Sequence, residues 1–343
     1  MSSGMETIKR ASWFELFFDL VFVFAIAKAT HVLVHLDNGH VAWSQYGIFF
    51  LIMIPVWWAW TGHTMFATRF DTEDPAQRLL TLAQMLAALF LAAFINPDFD
   101  SYYHGFLFSY VTIRGLLILM YVRAAHVMPR AVPISKYLGI GFALGVLVSL
   151  GTLFVDPPWR YVLLYAGIAI EILVPILSRS VLKKIPVSSH HMPERFGLLT
   201  IVLFGESVVA IAAKLSDQAW STFTPFSAVN GFVVMCAAAW LYFDAHQKFV
   251  VGKDLGTGQR VLYGHLGIYC GLSIISVAIG FSISGGLNVA DHIIMVGTGF
   301  GMFIGSMSFI YGMAAFIDNS QRVSLAIFMI ASGLMLVSGH FQS

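Results

Sequence analysis

The chain has 343 residues, of which 58% are hydrophobic and only 11% charged, against the ~25% charged share usual in soluble domains. Its formal net charge is +1 with two cysteines, Cys236 and Cys270, in separate apolar stretches. These values exclude a soluble enzyme, a disulfide framework and a nucleic-acid binder, and they point to an all-α polytopic protein embedded in the lipid bilayer.

Residues 1–12 read as a short cytoplasmic segment, without a convincing signal-peptide cleavage site. The first span, Trp13 to Val34, is long enough to cross ~30 Å of hydrocarbon at ~1.5 Å per residue. It carries Glu15, Asp19, Lys28 and His31, and an ionised group at membrane depth costs at least ~2.5 to 3.5 kcal/mol. At ~100° per residue Glu15 and Asp19 share one face, while Lys28, His31 and His35 gather on nearly the opposite one. Glu15 also suits a first-turn cap, and Lys28 a snorkelling cation. Asp19 lies about 9 Å past the helix start and has no such local explanation.

Ten further apolar segments follow: Trp43 to Met65, Ala76 to Ile95, Tyr102 to Ala125, Ile134 to Val155, Trp159 to Ser180, Glu194 to Lys214, Pro225 to Ala245, Val261 to Ser284, His292 to Phe316, and Val323 to Gly339. Turn signals such as Asn96-Pro97 and Gly285-Gly286 separate them. The expected count is therefore about 11 transmembrane helices. Assigning loops to alternate sides puts fifteen of the 19 Lys and Arg on one side and only Arg160 and Lys214 on the other, with Lys28 and Arg114 inside spans. That asymmetry predicts an N-inside, C-outside topology.

Internal similarity predicts two repeats. Trp60 aligns with Trp240 and Gln77-Arg78 with Gln259-Arg260, while Asp71 lies near Asp254. Spans one to six (13–186) and seven to eleven (187–343) then form a 6 + 5 pair of repeats with parallel orientation.

Counting ~1.5 Å per residue from each span start places Arg114, Glu171 and Glu206 all at roughly 16 to 18 Å, near the bilayer midplane. Mutual neutralisation is expected, with Glu206 the preferred partner of Arg114 and Glu171 left paired or protonated. A second layer toward the cytoplasmic ends holds Glu15, Asp19, His63, Glu194, Asp244 and His265. A buried ion pair that only fixes packing explains such groups as well as an ion or proton pathway does.

The segments ELFFDLVFVFAIA (from Glu15) and ERFGLLTIVLFGESVVAIA (from Glu194) resemble the bacterial low temperature requirement protein A (LtrA) family. Glu15, Phe17, Phe18, Asp19 and Phe22, with Glu194, Arg195, Gly205, Glu206 and Ser207, carry the likeness. It implies an integral protein of the bacterial inner membrane and brings no substrate or reaction with it. Phe17-Phe18-Asp19 also resembles, over one helix, the Phe-Ser-Asp opening of two-repeat lysosomal potassium channels, a hint of cation conduction.

The functional expectation is a transporter or channel for a small ion, proton-linked if it transports. Glu15, Asp19, Arg114, Glu171, Glu206, Asp244 and His63 form its pathway, and Lys28, His31, Glu194 and His265 are secondary. The rival readings are a membrane enzyme acting on a lipid-linked substrate and a non-catalytic sensor or assembly factor linked to growth in the cold. No motif demands a cofactor. His31, His35 and His40 have an allowed metal spacing but lack a completing carboxylate other than Asp37, so no metal site is expected. The expected partners are the bilayer and a small ion or proton, and a pore between chains would make the protein a homo-oligomer.

Overall fold

A computed structural model describes residues 11–70, 74–217, 223–312 and 319–340. Most of the predicted 1–12 segment, Asp71 of the repeat match and the end of the predicted tenth span at 313–316 lie outside those residues. Twelve helices are described: α1 Trp13–Thr30, α2 Trp43–Ala67, α3 Pro75–Ala93, α4 Phe99–Val127, α5 Val132–Leu150, α6 Trp159–Leu177, α7 Arg179–Leu182, α8 His191–Asp217, α9 Phe223–Phe249, α10 Gln259–Ser284, α11 Val289–Tyr311 and α12 Asn319–His340. Among the described residues there is no strand, and ten helices are long and apolar enough to cross a membrane. At the place of the predicted eleventh span, α12 has a shorter apolar stretch, Ser320–Leu334.

Local chemistry sets the helix starts. Ser12 and Glu15 form a reciprocal cap: Ser12 Oγ accepts from the Glu15 backbone at 3.3 Å, and Glu15 Oε2 accepts from the Ser12 backbone at 2.9 Å. Asp74 caps α3 by accepting from Gln77 N at 3.0 Å, followed by Pro75 at the first helical position. Between α1 and α2, Asn38 (φ 50°) and Gly39 (φ 82°) supply the two left-handed residues of a tight turn.

The chain forms two compact units. The first comprises the described parts of Met1–Ala25, Pro55–Arg195 and Gly252–Gln259. Its core includes α2 from Val56 to Thr64, nearly all inaccessible, and α5 crosses α6 at glycines. A Cβ on Gly145 would stand 2.7 Å from Gly167 O and 2.3 Å from Glu171 Cγ, so only small residues allow this approach. The faces left outside are apolar, such as Leu79, Leu82, Leu86 and Phe90 on α3, as lipid contact requires.

The second unit comprises Ile26–Ile54, Phe196–Val251 and the described parts of Arg260–Ser343. Here α10 is the core helix and meets α11 through another glycine crossing, where a Cβ on Gly271 would stand 2.8 Å from Gly299 O. Asn230 Nδ2 donates to Ala331 O at 2.8 Å and joins α9 to α12.

Candidate functional site

The acids of α1 meet the start of α8. Glu15 and Asp19 are four residues apart, as are His191 and Arg195, so each helix presents its pair on one face. Arg195 Nη1 donates to Glu15 Oε1 at 2.9 Å, Nη2 to Asp19 Oδ1 at 2.6 Å and Nε to Asp19 Oδ2 at 3.2 Å. The planar guanidinium thus forks across Asp19 and keeps one arm for Glu15. Trp60 Nε1 adds a bond to Asp19 Oδ1 at 2.7 Å, and His191 Nε2 stands 3.2 Å from Glu15 Oε2. Asp19, His191 and Arg195 are fully buried, and His191 Nδ1 has no hydrogen-bond partner.

A second pair sits on α4 and α6. Arg114 takes Glu171, not Glu206, as its partner, with Nε 2.6 Å from Oε2. Glu171 Oε2 also accepts from Trp58 Nε1 at 2.9 Å and Tyr110 OH at 3.0 Å. Both charged residues are inaccessible, and the guanidinium lies over the rings of Phe142 (4.5 Å) and Trp58 (5.5 Å). Arg114 Nη1 and Nη2 and Glu171 Oε1 remain without hydrogen-bond partners. Gly62 makes room for Arg114, because a Cβ there would come within 2.4 Å of Nη1.

Residues 58–63 of α2 serve both centres. Trp58 and Trp60, ~200° apart around the helix, aim their indole N–H groups at different acids. His63 stacks on Phe18 with ring centroids 4.0 Å apart. Its Nδ1 stands 2.7 Å from Gln84 Oε1, while Gln84 Nε2 donates to Ile113 O at 3.0 Å. That network assigns the proton of neutral His63 to Nδ1 and leaves Nε2 as an acceptor. His63 and Glu15 line a cavity of about 640 Å³ together with Gln77, Arg78 and aromatic rings.

In the second unit Glu206 is in different company. It lines a cavity of about 360 Å³ with Thr30, His31, Ser207, Ser276 and Lys214, among apolar side chains. Among the described residues no hydrogen bond or ion pair holds its carboxylate. Lys28 is exposed on α1. Glu194 accepts from Ala11 N at 2.9 Å, and Asp244 accepts from Trp240 Nε1 at 2.9 Å and Ser320 Oγ at 2.7 Å, an α9 to α12 tie. His40 takes Asp291 at 3.0 Å, and among the described residues no three His, Cys, Asp or Glu side chains cluster as metal ligands.

His265 belongs to a buried aromatic network that sequence reasoning missed. Its Nδ1 donates to Val261 O at 2.7 Å, so Nε2 accepts from Tyr242 OH at 2.9 Å, and His246 Nδ1 stands 2.9 Å from Tyr311 OH. Arg195 was also missed as a ligand of the acids, although the matching four-residue spacings of 15/19 and 191/195 could have found it.

A family model described as bacterial low temperature requirement A protein (LtrA) matches residues 10–341. An uncharacterized protein of Rhizobium meliloti is 26% identical over 297 residues, which cover 80% of this chain and 70% of the relative.

Proposed function

The chain belongs to the bacterial low temperature requirement A (LtrA) family and is a multi-pass protein of the cell membrane, and on that premise we propose that it moves a small cation across the bilayer, linked to protons. The observation that carries this reading is Glu206. It lies fifteen residues into α8, some 22 Å along at ~1.5 Å per residue, lines a cavity and, among the described residues, has no counter-charge bonded to it. An ionisable group kept at such depth facing a cavity marks an ion or proton path by default.

Glu206 is the group that meets the ion and exchanges a proton for it. Glu15 and His63, on the larger cavity of the first unit, are proton-accessible groups, and the free Nε2 acceptor of His63 suits that role. Asp19 with Arg195 and Arg114 with Glu171 act as fixed charge pairs that hold the helices on which these groups stand. The same reading keeps the N-terminus inside and the two parallel repeats, supported by the fifteen-to-two asymmetry of Lys and Arg and by the Trp60/Trp240 and Gln-Arg matches.

The test is cation-driven proton flux in proteoliposomes. Wild type should carry flux that Glu206→Gln lowers at least tenfold. Absence of flux for every cation of a broad panel in wild type would end this reading.

A further inference from the structure

The cavity beside Glu206 is built from one face of each of three helices. Thr30 and His31 come from the α1 end and the turn after it, Glu206, Ala210 and Lys214 from α8, and Ser276, Val277 and Phe281 from α10. On α8 these positions repeat at four-residue intervals, so a single stripe faces the space. Within the stripe the charges are unevenly compensated. Lys214 and Asp217, one turn apart, oppose each other in sign at the end of α8, whereas Glu206 stands two turns further in with no bonded partner among the described residues. The site therefore asks for one positive charge at Glu206.

The rest of the wall decides what kind of cation fits. A dehydrated metal ion needs about six oxygen ligands at close range, from carboxylates, carbonyls or hydroxyls. Here the lining oxygens are the carboxylates of Glu206 and Asp217 and the hydroxyls of Thr30, Ser207, Ser273 and Ser276, but Asp217 stands ~16 Å along α8 from Glu206 beside Lys214, and the Thr30 and Ser207 hydroxyls donate back to Ile26 O at 2.8 Å and Leu203 O at 3.0 Å. Away from the last turn of each helix, the carbonyls are spent on the helices' own hydrogen bonds. Most of the remaining surface is aliphatic or aromatic: Ile26, Leu203, Leu272, Val277 and Phe281. Such a wall gathers too few oxygens around Glu206 for a bare metal ion but gives dispersion contacts and apolar burial to a carbon skeleton. The volume of about 360 Å³ is more than twice the ~150 Å³ that accommodates benzene in an apolar cavity, so a ring and its substituent fit.

We infer that the ligand of this cavity is an organic ammonium ion, its charged nitrogen at Glu206 and its apolar body against the α1 and α10 walls. This narrows the cation proposed above and rests on that reading only for the step of transport. Binding itself is a property of the cavity.

Binding by the purified full chain in detergent tests the inference with benzylammonium as the probe, benzyl alcohol as its neutral counterpart and potassium as the metal-ion control. Wild type should bind benzylammonium at least tenfold tighter than benzyl alcohol and show no saturable response to potassium. Glu206→Gln should remove that tenfold preference and leave benzyl alcohol unchanged. Ala210→Phe, which fills the cavity while keeping the acid, should abolish binding of both organic probes. Equal affinity for benzylammonium in wild type and Glu206→Gln would overturn the inference, and so would potassium binding that Glu206→Gln removes. Potassium flux that needs Glu206, without benzylammonium binding, would sink the ligand class and keep transport. Benzylammonium binding that needs Glu206, without flux of any cation, would uphold the ligand class and sink transport.

Discussion

Glu15 and Asp19 on the one hand and Glu206 on the other are acids in membrane-spanning helices, but their surroundings differ. The α1 acids receive a forked guanidinium, an indole N–H and an imidazole, whereas Glu206 lines a cavity with no bonded partner among the described residues. A charge buried among matched partners is committed to structure, because removing any partner strands the others. An acid left facing open space can change its protonation or its ligand without disturbing a neighbour. The contrast separates charges that hold the fold from the one proposed to work.

The largest test of that contrast is Arg195→Gln, which leaves Asp19 and Glu15 buried without their shared cation. It should cost ~3–5 kcal/mol, read as a lowered midpoint in chemical or thermal unfolding in detergent. A loss below ~1 kcal/mol would mean that the cluster is not the fastening described.

Arg114 and Glu171 allow a sharper version. Arg114→Met or Glu171→Met alone should each cost ~3–5 kcal/mol, while the double variant should recover most of the loss, since an apolar pair of similar size needs no compensation. Additive losses in the double variant would show that the two residues do not act as a pair.

A smaller effect is expected from Trp60→Phe, which deletes one donor to Asp19 and keeps the Arg195 fork. A hydrogen bond to a charged group is worth ~1.5–3 kcal/mol, and the same unfolding midpoint measures it. Glu206→Gln, by comparison, should stay within ~0.5 kcal/mol of wild type, as for substitutions that break no partner.

Weakest is the half-buried pair of Asp74, just before α3, with Arg123 near the end of α4, 2.7 Å apart. The Gln77 backbone N–H, then Arg123, hold the Asp74 carboxyl below its usual value of 3.8. Its contribution to stability is therefore complete above the unfolded-state value and disappears as pH falls through the lower folded-state value. Asp74→Asn should flatten the acid limb of an unfolding midpoint plotted against pH and leave the neutral limb almost in place.

Much of this organisation is legible in the chain. Span length and hydropathy follow from the bilayer and are easy to read, and the stripe of Glu15 and Asp19 follows from helical periodicity. Partner choice is not so legible. Depth counting puts Glu171 and Glu206 at the same level, and what separates them is rotation about the helix axis and the glycine crossing at Gly145 and Gly167, which depth does not encode. Arg195 was tallied with the loop cations because it lies next to a span start, so the charge rule concealed its role as the α1 counter-ion. Trp58 and Trp60 resemble membrane-belt aromatics in sequence, and only the fold shows their N–H groups bound to buried acids.

The account is tested most directly by measuring proton-linked cation flux and the unfolding midpoint on the same preparation of Glu206→Gln. Flux lowered at least tenfold with an unchanged midpoint is the predicted result. Wild-type flux in that variant, or a midpoint that falls as far as that of Arg195→Gln, would contradict it.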